Sequence, residues 1–550
     1  MHILIYCDDP GAGGTSVNAA VLCEGLVRLG ITVSVAANGD WTSHLGNVTS
    51  YSLGHNSERF AAKSMLSRNE PERIFLCARP DLILFCDCAV DSSLAAKAVC
   101  RDWNIPYVIQ TNYVSAAHLS ELGPRLGPIG EAMRGAEVVV AVSTENLQLL
   151  RQVFGLSGPR SGVIYNGRPQ YWFAPAMPDR RQEIRAAWGI APEDVVCLTV
   201  ARYEPRKGYR HLLEAASALT ECGLPNGRPL FVWIGQSQGD AAEKLAAEVA
   251  SRNLSRHVLV LGERNDVRDW LAASDLFLLP SESEGMPLCI IEAMGQGVPV
   301  VASAVSGIPE ELGNAGVLLP DPGRDPSGAV SALVAAVKAL AGDPVGRRTL
   351  GTRGRQRALA YFSAERMVGN FVWLMRALVL GRRPTWPDAR NYCPPHLLPF
   401  GRELLLGDDA VAMEFLGKGW SHGEGEGRWT DGDQASLRLV LPEDCRDGLI
   451  LTCGMKPFLG SPGSALELRL AFNGREVGFM RWNEAPAEPL RLALAILPDG
   501  RFHREVELVF SLAGICSPAS LGRSDDARQL GVWVTFLQLD RLKSSNGAAV

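Results

Sequence analysis

An apolar run at residues 275–280 is followed, at Pro287, by a segment of helical character. Proline is favoured at the first position of a helix, so we predict that a helix begins at Pro287. The N–H groups at the start of such a helix are unpaired and face the strand end, where they form an anion site suited to a diphosphate. The predicted donor-binding backbone comprises four residues, Gly285, Met286, Leu288 and Cys289.

Two glutamates flank this predicted anion site. Glu292 lies five residues beyond Pro287, which is roughly 7–8 Å along a helix that rises ~1.5 Å per residue. This is about the span from a diphosphate to a ribose, whose paired hydroxyls a carboxylate can accept. Glu284 precedes the helix, on the side of the phosphates where a sugar would lie. Either residue alone is equally well explained as a solvent-exposed charge, but the two together in this setting favour a nucleotide-sugar site.

Two cations follow another apolar run, at residues 194–201. Arg202 and Lys207 would lie at the same carboxyl edge of a sheet as the predicted helix. Two cations that face a diphosphate neutralise it and can stabilise a leaving nucleotide without a metal ion. We therefore predict that Arg202 and Lys207 take part in catalysis; the alternative is a basic surface loop.

Three further loops at strand ends contain glycine, which lets the backbone approach a ligand closely. The loop at 9–15 includes Gly13 and Gly14 and precedes an amphipathic stretch. It does not match the GxGxxG pattern, so we do not predict a dinucleotide site. The other two loops add Gly235 and Arg264 to the donor-binding candidates.

The alternation of apolar runs with amphipathic stretches predicts how these loops are positioned. Such alternation indicates parallel sheets covered on both faces, and ligands of these sheets lie at the carboxyl ends of the strands. The predicted strands of a first sheet are 2–7, 31–37, 81–86, 105–110, 137–142 and 162–165. Those of a second sheet are 194–201, 230–234, 257–261, 275–280, 298–302 and 316–319.

The character of the sequence changes after a proline-rich segment, where period-2 alternation without helices indicates an all-β sandwich or jelly roll. Its predicted strands are 436–441, 449–455, 465–472, 490–497, 505–512 and 532–539. Four tryptophans fall here, Trp420, Trp429, Trp482 and Trp533. Exposed tryptophans would stack on sugar rings, whereas a role in the core or in strand pairs is the favoured interpretation.

We therefore predict two Rossmann-like domains followed by an all-β domain. The predicted boundaries are 1–175 for an acceptor-side Rossmann-like domain, 176–381 for a donor-side Rossmann-like domain with closing helices, 382–398 for a linker and 399–545 for the β domain. The helical residues near 344–380 are expected to pack back on the first domain.

Composition excludes several classes of protein. The net charge of −6 over 550 residues argues against a general nucleic-acid binder. The 13 cysteines form no CxxC pair, so neither a structural zinc site nor a redox motif is predicted. The first strand reaches Asp8 and Asp9 too soon for a signal-peptide core, and no apolar run approaches the roughly 18–20 residues of a membrane helix. We expect a cytoplasmic protein, either free or associated with the inner face of the membrane.

The segment from about 195 to 312 resembles the donor half of glycosyltransferase family 4. Three motifs carry the resemblance: the two glutamates with seven residues between them, Arg-x4-Lys-Gly after a strand, and Gly-x-Pro-Val-Val-Ala-Ser from Gly297. The resemblance implies a GT-B fold, a nucleotide-sugar donor and retention of anomeric configuration. It also implies that Glu292 binds the ribose, that Glu284 binds the sugar, and that Arg202 and Lys207 hold the diphosphate.

One departure from the family pattern concerns the reactive centre. Many members carry a histidine after the strand that corresponds to 105–110, whereas this chain has Asn112 there. Asn112 can donate a hydrogen bond to the donor but cannot titrate. The nearest histidine is His118, for which a solvent-facing position on a helix is the favoured interpretation. Gly13 and Gly14 match the family's loop that closes over the donor phosphate and sugar.

The predicted function is retaining transfer of a sugar from a nucleotide-diphosphate-sugar to a glycan, lipid-linked or protein acceptor, in bacterial polysaccharide or glycoconjugate synthesis. No metal and no other cofactor is expected, because no Asp-x-Asp pair suited to Mg²⁺ stands out. Two alternatives remain open. One is a sugar-nucleotide-processing enzyme on the same fold, such as an epimerase, and the other is a non-catalytic glycan-binding protein.

Overall fold

The computed structural model divides into two units, Met1–Tyr392 and Cys393–Val550, and each is described by itself. The residues described are 1–9, 13–39, 48–54, 67–156, 158–174, 179–225, 227–237, 239–379, 381, 396–397, 403–406, 416–421, 427–440, 449–461, 464–486, 488–496, 505–521, 524 and 526–541. The proline-rich linker predicted at 382–398 therefore lies almost wholly outside the described residues.

The first lobe of the first unit is built on a parallel sheet of seven described strands. These are β1 (His2–Cys7), β2 (Thr32–Ala37), β3 (Thr49–Ser52), β4 (Leu82–Asp87), β5 (Tyr107–Thr111), β6 (Val138–Ala141) and β7 (Ser161–Val163). Their order is β3-β2-β1-β4-β5-β6-β7. Every residue of β4 is buried, as expected for a central parallel strand covered on both faces.

Helices connect these strands on both faces of the sheet. They are α1 (Gly14–Arg28), α2 (Asn69–Ala78), α3 (Leu94–Asp102), α4 (Ala116–Glu121), α5 (Leu126–Gly135) and α6 (Thr144–Phe154). Ser143 precedes α6 and its hydroxyl accepts a hydrogen bond from the N–H of Asn146 at 3.2 Å. This is a typical serine cap, which fixes the point where α6 begins.

The second lobe repeats the arrangement with a parallel sheet of six described strands. These are β8 (Val195–Val200), β9 (Pro229–Ile234), β10 (Val258–Val260), β11 (Leu276–Leu279), β12 (Val300–Ser303) and β13 (Val317–Leu319), in the order β10-β9-β8-β11-β12-β13. The helix α7 (Arg180–Ala187) precedes β8. The helices after β8 are α8 (Tyr209–Cys222), α9 (Ala241–Ser251), α10 (Val267–Ala273), α11 (Leu288–Gly295), α12 (Ile308–Leu312), α13 (Pro326–Gly342), α14 (Pro344–Tyr361) and α15 (Ala364–Val379).

The last of these helices, α15, returns to the first lobe. Its apolar residues, among them Met367 and Phe371, belong to the same buried cluster as Ile3 and Leu22. Gly25 of α1 lies so close to Val368 that a side chain on Gly25 would overlap it. The prediction that the helical residues near 344–380 pack back on the first lobe is therefore confirmed for α15, whereas α14 packs on the second lobe, where Gly354 lies against Met294.

The chain thus crosses between the lobes twice, and the two crossings lie side by side. The N–H of Arg168 donates to the carbonyl of Phe362 at 2.8 Å, and the N–H of Ala364 donates to the carbonyl of Arg168 at 2.8 Å. Gly167 fits against Ser363 without room for a side chain. These contacts tie the outgoing and the returning segments together.

The second unit contains mainly antiparallel sheets. Its strands are β14 (His396–Leu397), β15 (Glu403–Leu405), β16 (Arg428–Asp431), β17 (Gln434–Val440), β18 (Leu449–Pro457), β19 (Leu466–Phe472), β20 (Arg475–Trp482), β21 (Leu490–Ile496), β22 (Glu505–Ala513) and β23 (Leu530–Arg541). One sheet has the order β14-β17-β22-β19-β20 and the other the order β15-β23-β18-β21, with β16 paired to β23. Only the β14–β17 pair among these is parallel. Apolar side chains of both sheets share one buried cluster.

The tryptophans of the second unit pack against neighbouring side chains. Trp482 belongs to the buried cluster, and Trp420 packs on it with its ring edge-on to Phe510 at 5.3 Å between centroids. Trp429 and Trp533 pair with each other at 5.2 Å. None of the four is exposed. The favoured interpretation, in which they serve the core and strand pairs, is therefore confirmed.

Each predicted strand corresponds to an observed strand whose ends differ by at most two residues. The sequence did not predict the edge strand β3, the strand β20, or the short strands β14–β16. Within the described part of the chain, no single helix is long and apolar enough to span a membrane; α13 and α14 meet the length and composition criterion only as a pair bent by 108°.

Candidate active site

The predicted catalytic loops lie where the strand order of the second sheet reverses. In the order β10-β9-β8-β11-β12-β13, the chain adds β9 and β10 on one side of β8 and then adds β11, β12 and β13 on the other side. Loops after such a pair of strands diverge and leave a crevice at their carboxyl ends, where doubly wound folds bind ligands. The loop after β8 carries Arg202 and Lys207, and the loop after β11 is the segment 281–287, here called the Glu284 loop.

The helix after the Glu284 loop begins one residue later than predicted. Pro287 has φ −72° and ψ 120°, an extended conformation, so it caps α11 and the first helical residue is Leu288. The carbonyl of Pro287 accepts the N–H of Ile290 at 3.0 Å. The N–H groups of Leu288 and Cys289 lie in the first turn, where an α-helix offers no internal acceptor.

A cavity of about 530 Å³ separates the carboxyl edges of the two sheets. This volume lies within the range of about 300–1,000 Å³ for small-molecule sites. All but one of the site residues predicted from the sequence line it; these are Gly13, Gly14, Asn112, Arg202, Lys207, Gly235, Arg264, Glu284, Gly285, Met286, Leu288, Cys289 and Glu292. The exception is His118. The roles assigned to these residues remain predictions.

Lys207 and Glu284 form an ion pair at the cavity wall. Lys207 Nζ donates to both carboxylate oxygens of Glu284, at 2.7 and 2.8 Å. Burial alone would raise the pKa of Glu284, but Lys207 and then Arg206 outweigh it and hold that pKa below its ordinary value. Glu284 is therefore an ionised acceptor at neutral pH, aimed at the cavity beside a cation.

Arg202 shares a partner with a third cation that the sequence reasoning missed. Glu204 receives Arg202 Nε at 3.0 Å and Arg206 Nε at 2.8 Å. Arg206 also lies 5.3 Å from the ring centre of Tyr113, which comes from the first lobe. Arg206 and Tyr113 both line the cavity. Their only sequence signals were a basic residue beside Lys207 and an aromatic residue beside Asn112.

Glu292 is held by a residue from the crossing between the lobes. Arg168 donates to Glu292 Oε1 at 2.8 Å and stacks on the ring of Trp172 at 4.9 Å. Glu292 is 8% exposed. Burial raises its pKa to about 7, against the opposing effect of Arg168. Arg168 was not predicted, because only the fold brings it to a residue 124 positions away.

The Glu284 loop is held from behind by the segment that follows β12. The N–H of Glu284 donates to Ser306 Oγ at 3.2 Å, and the N–H of Gly307 donates to the carbonyl of Gly285 at 3.0 Å. On its other side, Gly285 lies so close to the carbonyl of Asn112 that any side chain would overlap it. The amide of Asn166 donates to the carbonyl of Met286 at 2.9 Å. Both lobes therefore contact this one loop.

The wall formed by the first lobe presents few charges to the cavity. Gly14 of α1 faces Leu288, and Asn112 follows β5. The Asn112 amide donates to the carbonyl of Asp87 at 3.1 Å. Beneath it, Lys97 Nζ donates to Asp87 Oδ2 at 2.5 Å, and both side chains are almost wholly buried. Burial raises the pKa of Asp87 to about 7, although Lys97 lowers it.

Gly235 and Arg264 line the part of the cavity nearest to β9 and β10. A side chain on Gly235 would overlap the carbonyl of Ala201, so only glycine fits there. Arg264 makes a two-point contact with Asp266, with both N–O distances at 2.7 Å. Its guanidinium is therefore held in one plane at the edge of the cavity.

His118 lies beside the cavity rather than in its lining. Its Nε2 is 3.5 Å from Asp91 Oδ1, and Arg125 contacts the other oxygen of Asp91 at 2.9 Å. Its ring is 5.9 Å from that of Tyr113. It lies on the helix α4, as the favoured interpretation expected, but its side chain is only 23% exposed and is therefore half-buried rather than solvent-facing. In the described part of the chain, no three His, Cys, Asp or Glu side chains are grouped so that they could hold a metal ion.

Comparison with known families and proteins covers both lobes. Residues 12–169 match the model "Glycosyltransferase Family 4", and residues 180–357 match the model "Glycosyl transferases group 1". A D-inositol 3-phosphate glycosyltransferase of Jonesia denitrificans is 28% identical over 234 residues, which is 40% of this chain and 55% of that protein. The chain thus spans about half the length of that curated relative.

Two solved structures share the fold of the first unit. A sucrose-phosphate synthase from Thermosynechococcus elongatus superposes with a TM-score of 0.59 at 22% identity, over 69% of this chain and all of that one. The Anabaena protein HepE, solved in complex with UDP-glucose, superposes with a TM-score of 0.58 at 20% identity, over 68% of this chain and all of that one. At these identities the likeness concerns the fold.

Proposed function

Because the chain belongs to glycosyltransferase family 4, we propose that it transfers a sugar from a nucleotide-diphosphate-sugar to an acceptor hydroxyl, with retention of anomeric configuration. The proposed acceptor is a glycan, a lipid-linked sugar or a protein in bacterial polysaccharide or glycoconjugate synthesis. The proposed site is the cavity between the lobes, and the proposed location is the cytoplasm, including the inner face of the membrane.

The observation that carries this proposal is the arrangement of charge along one wall of the cavity. The N-terminus of α11 lies between two carboxylates, Glu284 and Glu292, while Arg202 and Lys207 come from the neighbouring loop. An anion-binding helix end suits a diphosphate. Glu284 before the helix suits the hydroxyls of a sugar, and Glu292 within the helix suits the hydroxyls of a ribose. The HepE structure, of similar fold, contains UDP-glucose.

The proposed chemistry requires stabilisation of the departing diphosphate. As the bond from the sugar to the phosphate oxygen breaks, negative charge grows on that oxygen while the sugar becomes electron-poor. Arg202, Lys207 and the first N–H groups of α11 are the proposed stabilising groups. The acceptor oxygen bonds to the anomeric carbon on the face that the nucleotide leaves, and its proton passes to the departing phosphate. No metal takes part in this proposal.

The test is a hydrolysis and transfer screen with the full chain and a panel of UDP-, GDP-, ADP- and dTDP-sugars, with release of nucleoside diphosphate as the readout. We expect turnover of at least one donor, unchanged by EDTA, and an NMR spectrum in which the product keeps the anomeric configuration of the donor. Inversion would contradict the retaining mechanism, and loss of activity restored by Mg²⁺ or Mn²⁺ would contradict the metal-free one.

Glu284→Gln tests the site directly, and Glu243→Gln is its matched control. Both remove one negative charge, but Glu243 is exposed on α9 and does not line the cavity. Only the first substitution should abolish turnover. If the wild type binds none of the nucleotides in the panel by calorimetry, the proposed function is wrong.

A further inference from the structure

Glu310 makes three short hydrogen bonds that join the two lobes. Its Oε2 accepts the N–H of Thr144 at 2.6 Å, and its Oε1 accepts the hydroxyl of Thr144 at 2.7 Å. Oε1 also accepts the hydroxyl of Tyr165 at 2.6 Å. Thr144 is the first residue of α6 in the first lobe, whereas Glu310 belongs to α12 in the second lobe. A single carboxylate therefore caps a helix of the opposite lobe.

The electrostatics favour this contact. The N–H of Thr144 is one of the groups that α6 cannot satisfy internally, and a negative charge at a helix N-terminus is favourable. Tyr165 lies in the outgoing crossing between the lobes, and its ring packs on Phe362 of the returning crossing at 5.5 Å. Burial, and then Glu310, raises the pKa of the Tyr165 hydroxyl, so it stays a donor at neutral pH.

The same segment reaches the Glu284 loop. Ser306 and Gly307, a few residues before Glu310, hold the backbone of Glu284 and Gly285. A side chain on Gly307 would overlap Gly285 and crowd Ser143, the cap of α6. On the other side, Arg357 of α14 donates to the backbone carbonyls of Glu310 and Glu311, at 2.6 and 2.7 Å. The segment 306–310 is therefore fixed to its own lobe and touches both the Glu284 loop and the first lobe.

We propose that Glu310 is a positioning residue for the transfer reaction. By capping α6 and binding Tyr165, it sets the distance between the first-lobe wall and the Glu284 loop, and thereby the place of the donor sugar against the acceptor. Glu310 is not among the residues that line the cavity, so it acts through the residues that it holds. This inference rests on the proposed function and adds a role outside the cavity lining.

The test is Glu310→Gln in the full chain. The amide keeps the size of the side chain, removes the negative charge at the N-terminus of α6 and leaves one oxygen acceptor where the carboxylate has two. We expect turnover of a donor sugar to fall by about tenfold to a hundredfold, the scale of effect when reacting groups are misplaced by about 1 Å. The dissociation constant for the nucleoside diphosphate should stay within about twofold, because the Glu310 side chain bonds to Thr144 and Tyr165 rather than to the residues proposed to bind the nucleotide.

Two further variants give a matched series. Thr144→Val and Tyr165→Phe each remove one of the three bonds, so each should lower turnover less than Glu310→Gln, and their combination should approach it. Glu243→Gln is the charge-matched control and should behave as wild type. Equal losses of turnover and nucleotide affinity in Glu310→Gln would assign it a general structural role and overturn the proposal, as would unchanged turnover.

Hydrogen exchange separates this inference from the proposed function. In Glu310→Gln we expect faster exchange in peptides covering 144–148 and 283–287, with and without added UDP or GDP, and no change in α9. That readout needs no turnover. If the wild type turned over no donor yet this exchange pattern appeared, the proposed function would fail while the coupling of the lobes stood. Unchanged exchange in both peptides would refute the coupling itself.

Discussion

The two walls of the cavity use charge in opposite ways. In the second lobe, Lys207 and Glu284 form their ion pair at the cavity surface, and Glu292 pairs with Arg168 in the lining. In the first lobe the ion pair of Asp87 with Lys97 is sealed below the surface, and the cavity meets neutral groups such as Asn112.

This difference separates two physical roles. Charges at the cavity surface can exchange their partners for the phosphates and hydroxyls of a ligand, so changes to them should alter binding and turnover. A sealed pair cannot make that exchange, and it holds the backbone of Asp87, on which Asn112 rests. Changes to it should alter stability. Four substitutions or conditions test the distinction, and the largest effect is expected in the first lobe.

Lys97→Ala should be the most damaging change to folding. Removal of one partner leaves an uncompensated buried charge, at a cost of about 3–5 kcal/mol. The measurement is denaturant unfolding of the full chain followed by tryptophan fluorescence. The double variant Asp87→Leu with Lys97→Met replaces both charges and should recover most of the loss. If the double variant were as unstable as Lys97→Ala, the unpaired charge of Asp87 would not be the cause of the lost stability.

Lys207→Ala should act on turnover. Loss of one preorganised donor at a developing negative charge typically costs about 10²–10³ in turnover, or about 2.7–4 kcal/mol. Donor hydrolysis under saturating donor is the measurement. Lys244→Ala, which removes an exposed lysine that pairs with Asp240, is the control and should match the wild type. Normal turnover by the Lys207 variant would contradict the proposal that this wall stabilises the departing diphosphate.

Glu292→Ala should act on affinity more than on turnover. Charge-assisted hydrogen bonds to two ribose hydroxyls are worth about 1.5–3 kcal/mol. Calorimetric titration with the nucleoside diphosphate measures the loss, with Glu221→Ala, an exposed change on α8, as control. If instead a 2′,3′-dideoxy nucleotide bound the wild type as tightly as the parent nucleotide, Glu292 would not be the ribose acceptor.

The smallest expected effect is a pH dependence of donor affinity. The pKa of Glu292 is raised from 4.5 to about 7, so the ionised acceptor becomes dominant only as pH rises through 7. Affinity for a nucleotide sugar should therefore increase between pH 6 and 8, by less than about tenfold, and the increase should be absent in Glu292→Gln. By the same linkage, this group's contribution to stability is fully present below pH 4.5 and is lost as pH rises toward 7.

The sequence predicted the elements whose apolar runs are continuous and buried. Strands such as β4 and β11 have every side chain buried, and their limits were predicted closely. The edge strand β3 was missed because its residues are polar and mostly exposed. The strand β20 was missed because charged residues and Gly478 interrupt its alternation, and only its pairing with β19 defines it.

For the site, spacing along one helix and two loops was enough to predict Glu284, Glu292, Arg202 and Lys207 as neighbours of one cavity. It was not enough to predict what holds them. Arg168, Tyr113 and Glu310 reach their partners across the two lobes, and no local pattern encodes an approach between residues more than a hundred positions apart. Such residues are fixed by tertiary packing rather than by periodicity.

The return of α15 to the first lobe also bears on synthesis. A ribosome releases β1–β7 and α1–α6 well before it reaches residue 364, and until then the apolar face that includes Ile3, Leu22 and Val33 lacks the cover that Phe371 and Met375 provide. Domains usually fold as units while the chain emerges. Here the first lobe can complete its core only after the whole second lobe has been translated, so the lobe made first is finished last.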